Sequence, residues 1–185
     1  MNLRLTIPVL ILLLVFSGYL ILRTPFEETK EPDSEIASLA WFYLVDETKI
    51  DNIKVSYFDQ EVSFYRDSER TWRIDSIEGD PVNSEFRGTP FLAGGAKSPR
   101  IISTDKDPEL SQYGLDDPKL KIFVRLESSD SSPQGITYTV LIGDMTPDGV
   151  NNYSAIEGHP EIYLLDGMWG QHMARLATET SLVQQ

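Results

Sequence analysis

Cysteine is absent from this chain, and histidine occurs twice, at His159 and His172. The first absence excludes disulfides, thiol nucleophiles and cysteine-based zinc sites. The second leaves two imidazoles that no clustered carboxylates accompany, a pattern of surface or boundary residues rather than of metal ligands. Positive charge is also scarce. Sixteen Lys and Arg face twenty-nine Asp and Glu, a formal net charge of −13. Nucleic acid, whose phosphates need a basic surface, is excluded as a partner, and so is docking driven by anionic lipid. Solubility, or the steering of a basic partner, accounts for the acidity.

Several chemical signatures are incomplete. Gly94 to Ser98, GGAKS, falls short of a phosphate-binding loop because Phe91 and Ala96 stand where G-x-x-x-x-G-K-[ST] requires glycine. Asp144, Asp148 and Gly149 occupy the first, fifth and sixth positions of a calcium loop, but its twelfth position is Ala155 and its fourth is Pro147. A hairpin turn explains the same residues. No G-x-S-x-G elbow occurs and no histidine accompanies a serine nucleophile. The expectation is therefore a protein that is not an enzyme, with no catalytic, cofactor or metal residues. Trp41, Trp72 and Trp169 each lie in an amphipathic stretch and are expected to pack in the core rather than to line a ligand cleft.

What the chain does have begins with Leu5 to Leu22, LTIPVLILLLVFSGYLIL, eighteen residues without a charge. At about 1.5 Å per residue this run spans roughly 27 Å, close to a hydrocarbon core of about 30 Å. Pro8 lies near its start, and Arg4 and Arg23 bracket it. The run is longer than the apolar part of a cleaved signal peptide, so an uncleaved anchor is expected. Residues 1–4 form a stub too short to export, which favours an N-in orientation with the remainder outside the cytoplasm. The bacterial inner membrane is the expected location. Residues 23–33 are a polar linker, 34–178 a single α+β domain, and 179–185 a tail.

Within the domain, Ile36, Leu39, Ala40, Tyr43 and Leu44 fit a helical face, while WFYLV reads as a strand; a short helix running into a strand satisfies both. Alternation at Ile53–Phe58 and Val62–Tyr65, with Trp72 in a third strand, predicts an antiparallel meander with short polar connections. Residues 75–100 hold four glycines and three prolines and predict a long surface loop with at most one helical turn, around Asn83 to Arg87. Asp107-Pro108 starts a helical turn that Gly114 ends in a left-handed cap. Leu120, Ile122, Val124 and Leu126 then alternate in a strand. Strands at 136–142, 152–156 and 161–165 follow, and a helix from Gly167 to Thr178 closes the domain. Asp166 caps that helix, and Trp169, Met173 and Leu176 share one face. The fold class is α+β, a mainly antiparallel sheet with a few short helices, read as two diverged halves of a meander plus a helix.

Three stretches carry a family resemblance. Tyr113-Gly114-Leu115 with Pro118 forms one turn, and Leu141-Ile142-Gly143 with Thr146-Pro147 and Gly149 forms a hairpin. Tyr153 then precedes Ile162-Tyr163-Leu164-Leu165-Asp166. With Ile50, Ile53, Val55, Trp72 and Ile74 upstream, the chain from about Ile50 to Leu176 resembles the domain of unknown function 4340 family. The resemblance implies a membrane-anchored domain outside the cytoplasm, often encoded beside ABC-transporter components, with no catalytic residues. It also implies a helix before the Tyr-Gly-Leu turn, where this chain has its Gly/Pro-rich segment.

The expected function is thus an accessory or scaffold subunit of a larger membrane complex, either associated with an ABC transporter or auxiliary to a photosynthetic or respiratory-type assembly. Its partners would be other membrane-protein subunits and, through the N-terminal helix, the bilayer. Phe86, Arg87, Pro90, Phe91 and Leu92 are the candidate contact residues. The alternative is an exported binding module for a small molecule or envelope polymer.

Overall fold

Alternation between buried and open positions from Ile50 onward builds most of the sheet. A computed structural model describes residues 39–75, 82–130 and 132–179. The anchor run, the linker and a helix beginning near Ser34 lie outside the described residues. Strand β1 (Ala40–Leu44) passes through a 3-10 turn, Glu47–Lys49, into β2 (Ile50–Tyr57), β3 (Gln60–Arg66) and β4 (Trp72–Ile74). The last three form the predicted meander, paired antiparallel at Val55↔Val62 and Phe64↔Ile74.

Residues 82–103 depart from the expected long loop. A 3-10 turn (Ser84–Gly88), helix α1 (Thr89–Ala93), strand β5 (Gly95–Ser98) and strand β6 (Ile101–Ser103) follow one another. The glycines that suggested a loop serve close approach instead. A Cβ at Gly95 would lie 2.9 Å from the Tyr43 carbonyl oxygen, so only glycine lets β5 pair with β1 there. Pro90 stands at the start of α1, where its missing amide is harmless. Two side chains from distant elements cap the end of this helix: Trp169 Nε1 donates to Leu92 O at 3.1 Å and the Tyr43 hydroxyl to Ala93 O at 2.8 Å.

After a 3-10 turn at Leu110–Tyr113 come β7 (Leu120–Leu126), β8 (Ile136–Met145), β9 (Asn151–Ile156), β10 (Ile162–Asp166) and α2 (Gly167–Thr178). Among the described residues the fold is two antiparallel sheets with two short helices. One sheet has eight strands in the order β4-β3-β2-β7-β8-β9-β10-β6; the other is the β1–β5 ribbon. Helix α2 packs across the strands of the large sheet. Its Trp169, Met173 and Leu176 close over Ile53, Phe64, Ile122, Val124 and Val140, all removed from water. Each such side chain contributes about 1.5–3 kcal/mol relative to exposure. The alternate positions of β8, β9 and β10 point the other way, where Ala155, Ile162 and Leu141 meet Leu115, Leu110 and Tyr113 in a second, smaller cluster. Among the described residues no helix is long and apolar enough to cross a membrane.

Candidate functional site

The turn residues of the sequence converge on one structural junction. Gly114 ends its 3-10 turn at φ 65°, and the Leu115 amide donates back to Leu110 O at 3.0 Å. Against this turn lies β8. A Cβ at Gly143 would stand 2.1 Å from Tyr113 O, and one at Gly114 would stand 2.7 Å from Asp144 Cγ. Tyr113 meets the Tyr153 ring edge-on at 5.0 Å between centroids. Leu115 and Pro118 are buried. Tyr113, Gly114, Leu115 and Gly143 are thus brought together, and what they do there is hold a loop to a sheet.

Pro147 and Gly149 lie beyond, in the β8–β9 hairpin. The Thr146 amide donates to Asn151 O at 2.7 Å, and Gly149 has φ 73°. Asp148 is engaged by the turn itself. Its Oδ1 accepts from Thr146 Oγ1 at 2.5 Å and from the Val150 amide at 3.1 Å, and the hydroxyl bond holds this carboxyl below its ordinary range. Asp144 faces Lys119 at 3.9 Å. Among the described residues no group of three or more His, Asp or Glu is disposed to hold a metal ion.

The five candidate contact residues divide. Phe86 is buried against Phe64 and Trp72, with centroids 4.5 and 5.6 Å away. Pro90 is buried and Leu92 half-buried. Arg87 and Phe91 are exposed, Phe91 to 69%. Of the five, only these two are exposed. Phe86 in the 3-10 turn and Pro90 in α1 are buried and Leu92 packs partly against the core, a placement the Gly/Pro composition conceals.

Two groups of apolar side chains are exposed. At one end of the large sheet, Phe58 occupies a hairpin tip with φ 51°, a left-handed conformation that phenylalanine rarely adopts. Its amide donates to Lys119 O at 2.8 Å, beside Asp144 and Met145. Met145, Val150 and Met168 gather nearby: the Gly167 amide donates to Val150 O at 3.0 Å, and a Cβ at Gly167 would touch Met145 Cε at 3.6 Å. Met168 is 77% exposed. Its sequence signal is its place off the Trp169–Met173–Leu176 spacing, two residues after the Asp166 cap. Between this sheet end and α2 runs a groove of about 330 Å³, lined by Tyr57, Leu120, Ile142, Met145, Gly170 and Ala174 among others.

The second surface is the β1–β5 ribbon. The register shifts between Trp41 and Tyr43, so Phe42 and Tyr43 are both buried and Trp41 and Leu44 both face out. Trp41 is therefore not a core residue, unlike Trp169 and the half-buried Trp72. Of the two histidines, His159 is exposed in a turn. His172 is half-buried, with Nε2 3.2 Å from the Oγ1 of Thr89, and burial, then the Arg175 guanidinium, hold it below its ordinary value.

Residues 92–180 match the family model of the domain of unknown function DUF4340. The matched segment starts within α1 and takes in the Tyr-Gly-Leu turn, the β8–β9 hairpin, β10 and α2. No curated protein and no solved structure matches the chain.

Proposed function

Starting from a chain that carries a DUF4340 domain over residues 92–180, we propose a single-pass, membrane-anchored, non-catalytic accessory subunit of a larger membrane-protein complex. Leu5 to Leu22 is the anchor, the N-terminus stays inside, and the sheet domain stands outside the cytoplasm at the bacterial inner membrane. The complex is one associated with an ABC transporter or a photosynthetic or respiratory-type assembly.

The observation that carries this reading is the apolar sheet end. Phe58, Met145, Val150 and Met168 are all exposed; the Phe58 amide bonds Lys119 O, Lys119 faces Asp144 next to Met145, and Gly167, next to Met168, bonds Val150 O and approaches Met145. Grouped exposed apolar side chains mark a surface that another protein covers. A phenylalanine held at positive φ strengthens the point, since that backbone favours glycine or asparagine. The test is purification of the full-length chain in mild detergent, with identification of the membrane proteins retained. Retention that Met168→Glu abolishes supports the reading; a chain that emerges alone and monomeric under several gentle conditions overturns it.

A second reading, an exported binding module, draws on the groove beside this surface. It requires a small molecule whose presence raises the unfolding temperature and whose effect is removed by Gln171→Trp, at an exposed residue lining the groove.

A further inference from the structure

We propose that the β1–β5 ribbon is the face with which the domain rests on the bilayer, placing Trp41 and Leu44 among the lipid headgroups and upper acyl chains. The inference rests on the anchor reading above.

The ribbon's outer side is built from residue types that settle at a membrane interface. Trp41 is 49% and Leu44 60% exposed, and both lie over Gly95, whose Cβ position is 3.3 Å from Trp41 Cζ3 and 3.0 Å from Leu44 Cδ1. Lys97 lies across the strand from Trp41, its Nζ 5.0 Å from the ring centroid. An indole with a neighbouring ammonium gives an apolar body for the acyl boundary and a cation for the phosphates. Leu39, directly before β1, is also exposed, as is Phe91 on α1, whose end Gly94 joins to Val45 through a 2.7 Å backbone bond.

Lipid is chosen over other occupants by where the undescribed chain ends. Residues 1–38 precede Leu39, and their uncharged run stops at Leu22. The sixteen residues 23–38 reach at most roughly 55 Å when fully extended, at about 3.3–3.6 Å each. The described domain begins at Leu39, and β1 of the ribbon starts at the next residue, so the ribbon is where the tether joins the fold. Asp46 and Glu47 follow β1, and the whole chain is acidic, so anionic lipid supplies no attraction. Insertion of Trp41 and Leu44 is the contribution, and zwitterionic lipid suffices.

The test uses the full chain reconstituted into phosphatidylcholine vesicles, part of whose lipid is brominated on the upper acyl chain. Two readouts come from one sample: flotation with the vesicles, and quenching of tryptophan emission by the brominated lipid. Wild type is expected to float and to lose the share of emission carried by one of its three tryptophans. Trp41→Phe is expected to float and lose none of what remains. Leu44→Glu, checked for an unchanged circular dichroism spectrum, is expected to float with reduced quenching. Flotation without a difference in quenching between wild type and Trp41→Phe overturns the docking and leaves the anchor intact. Absence of flotation removes the anchor, and the docking with it.

Discussion

Glycines at three positions separate two reasons for having no side chain. At Gly149 the backbone has φ 73° and no atom lies within 4 Å of a Cβ, so the requirement is conformational alone. Alanine there is expected to cost about 1–2 kcal/mol. At Gly143 the obstacle is the Tyr113 carbonyl, 2.1 Å from the Cβ position, and neither backbone can yield without opening the Tyr-Gly-Leu junction. Gly143→Ala is expected to cost about 3 kcal/mol or more, the upper range of overpacking. Gly114 combines both obstacles. Urea denaturation of the three alanine variants checks the ranking, with Gly149→Ala the mildest. His172 supplies a pH dependence at the same scale. Its folded-state value is depressed by burial, so the fold favours the neutral ring. That contribution is complete above the unfolded value of about 6.5 and is lost as pH falls through and below it. Wild type is expected to lose more stability between pH 7.5 and 5.5 than His172→Gln, as read by thermal melts at each pH.

Elements hold together through partners they could not have announced. Helix α2 was predicted with its correct bounds because its signals are local: Asp166 Oδ1 accepts from the Met168 amide at 2.7 Å, and the apolar face recurs at helical spacing. Asp166→Ala is expected to destabilise by about 1 kcal/mol with little change in the native far-ultraviolet spectrum, measured by guanidinium denaturation. Helix α1 had no such signal. It has five residues and no side-chain N-cap bond, and its ends are held by Trp169, Tyr43 and the Thr89–His172 contact. Likewise, the 3-10 turn at Glu47–Lys49 is secured from β3, where Arg66 donates to Thr48 O at 2.7 Å while its guanidinium lies 5.0 Å over Trp72. Arg70 adds a donor to the same carbonyl. These are bonds between segments distant in sequence, and composition of the shorter partner says nothing about them.

Among the described residues, an exterior with more acidic than basic groups is interrupted by apolar side chains at the sheet end and on the ribbon. The outer face of β2, β3 and β7 shows the ordinary pattern, with Arg125 clasping Asp51 at 2.8 and 3.1 Å and Lys54 on Glu61 at 2.9 Å. Exposed pairs of this kind contribute little. The sheet end differs in leaving the apolar Met168 and Val150 exposed. Met168→Glu is expected to leave the thermal midpoint nearly unchanged, because the residue packs on little, while abolishing retention of the partner in detergent. A parallel loss of stability and retention would mark Met168 as structural.

The amino-acid sequence by itself determined the strands β2 to β4 and β7 to β10, the Gly114 cap and α2, since alternation, turn chemistry and capping act within a few residues. Tertiary structure decided the strand order, the pairing of β1 with β5 across some fifty residues, and the burial of Phe86 and Pro90. It also decided that Trp41 and Met168 stay in the open while neighbouring Tyr43 and Trp169 do not. Exposure is a property of what arrives from elsewhere in the chain. A local pattern states which residues are apolar, and packing alone states which of them remain uncovered.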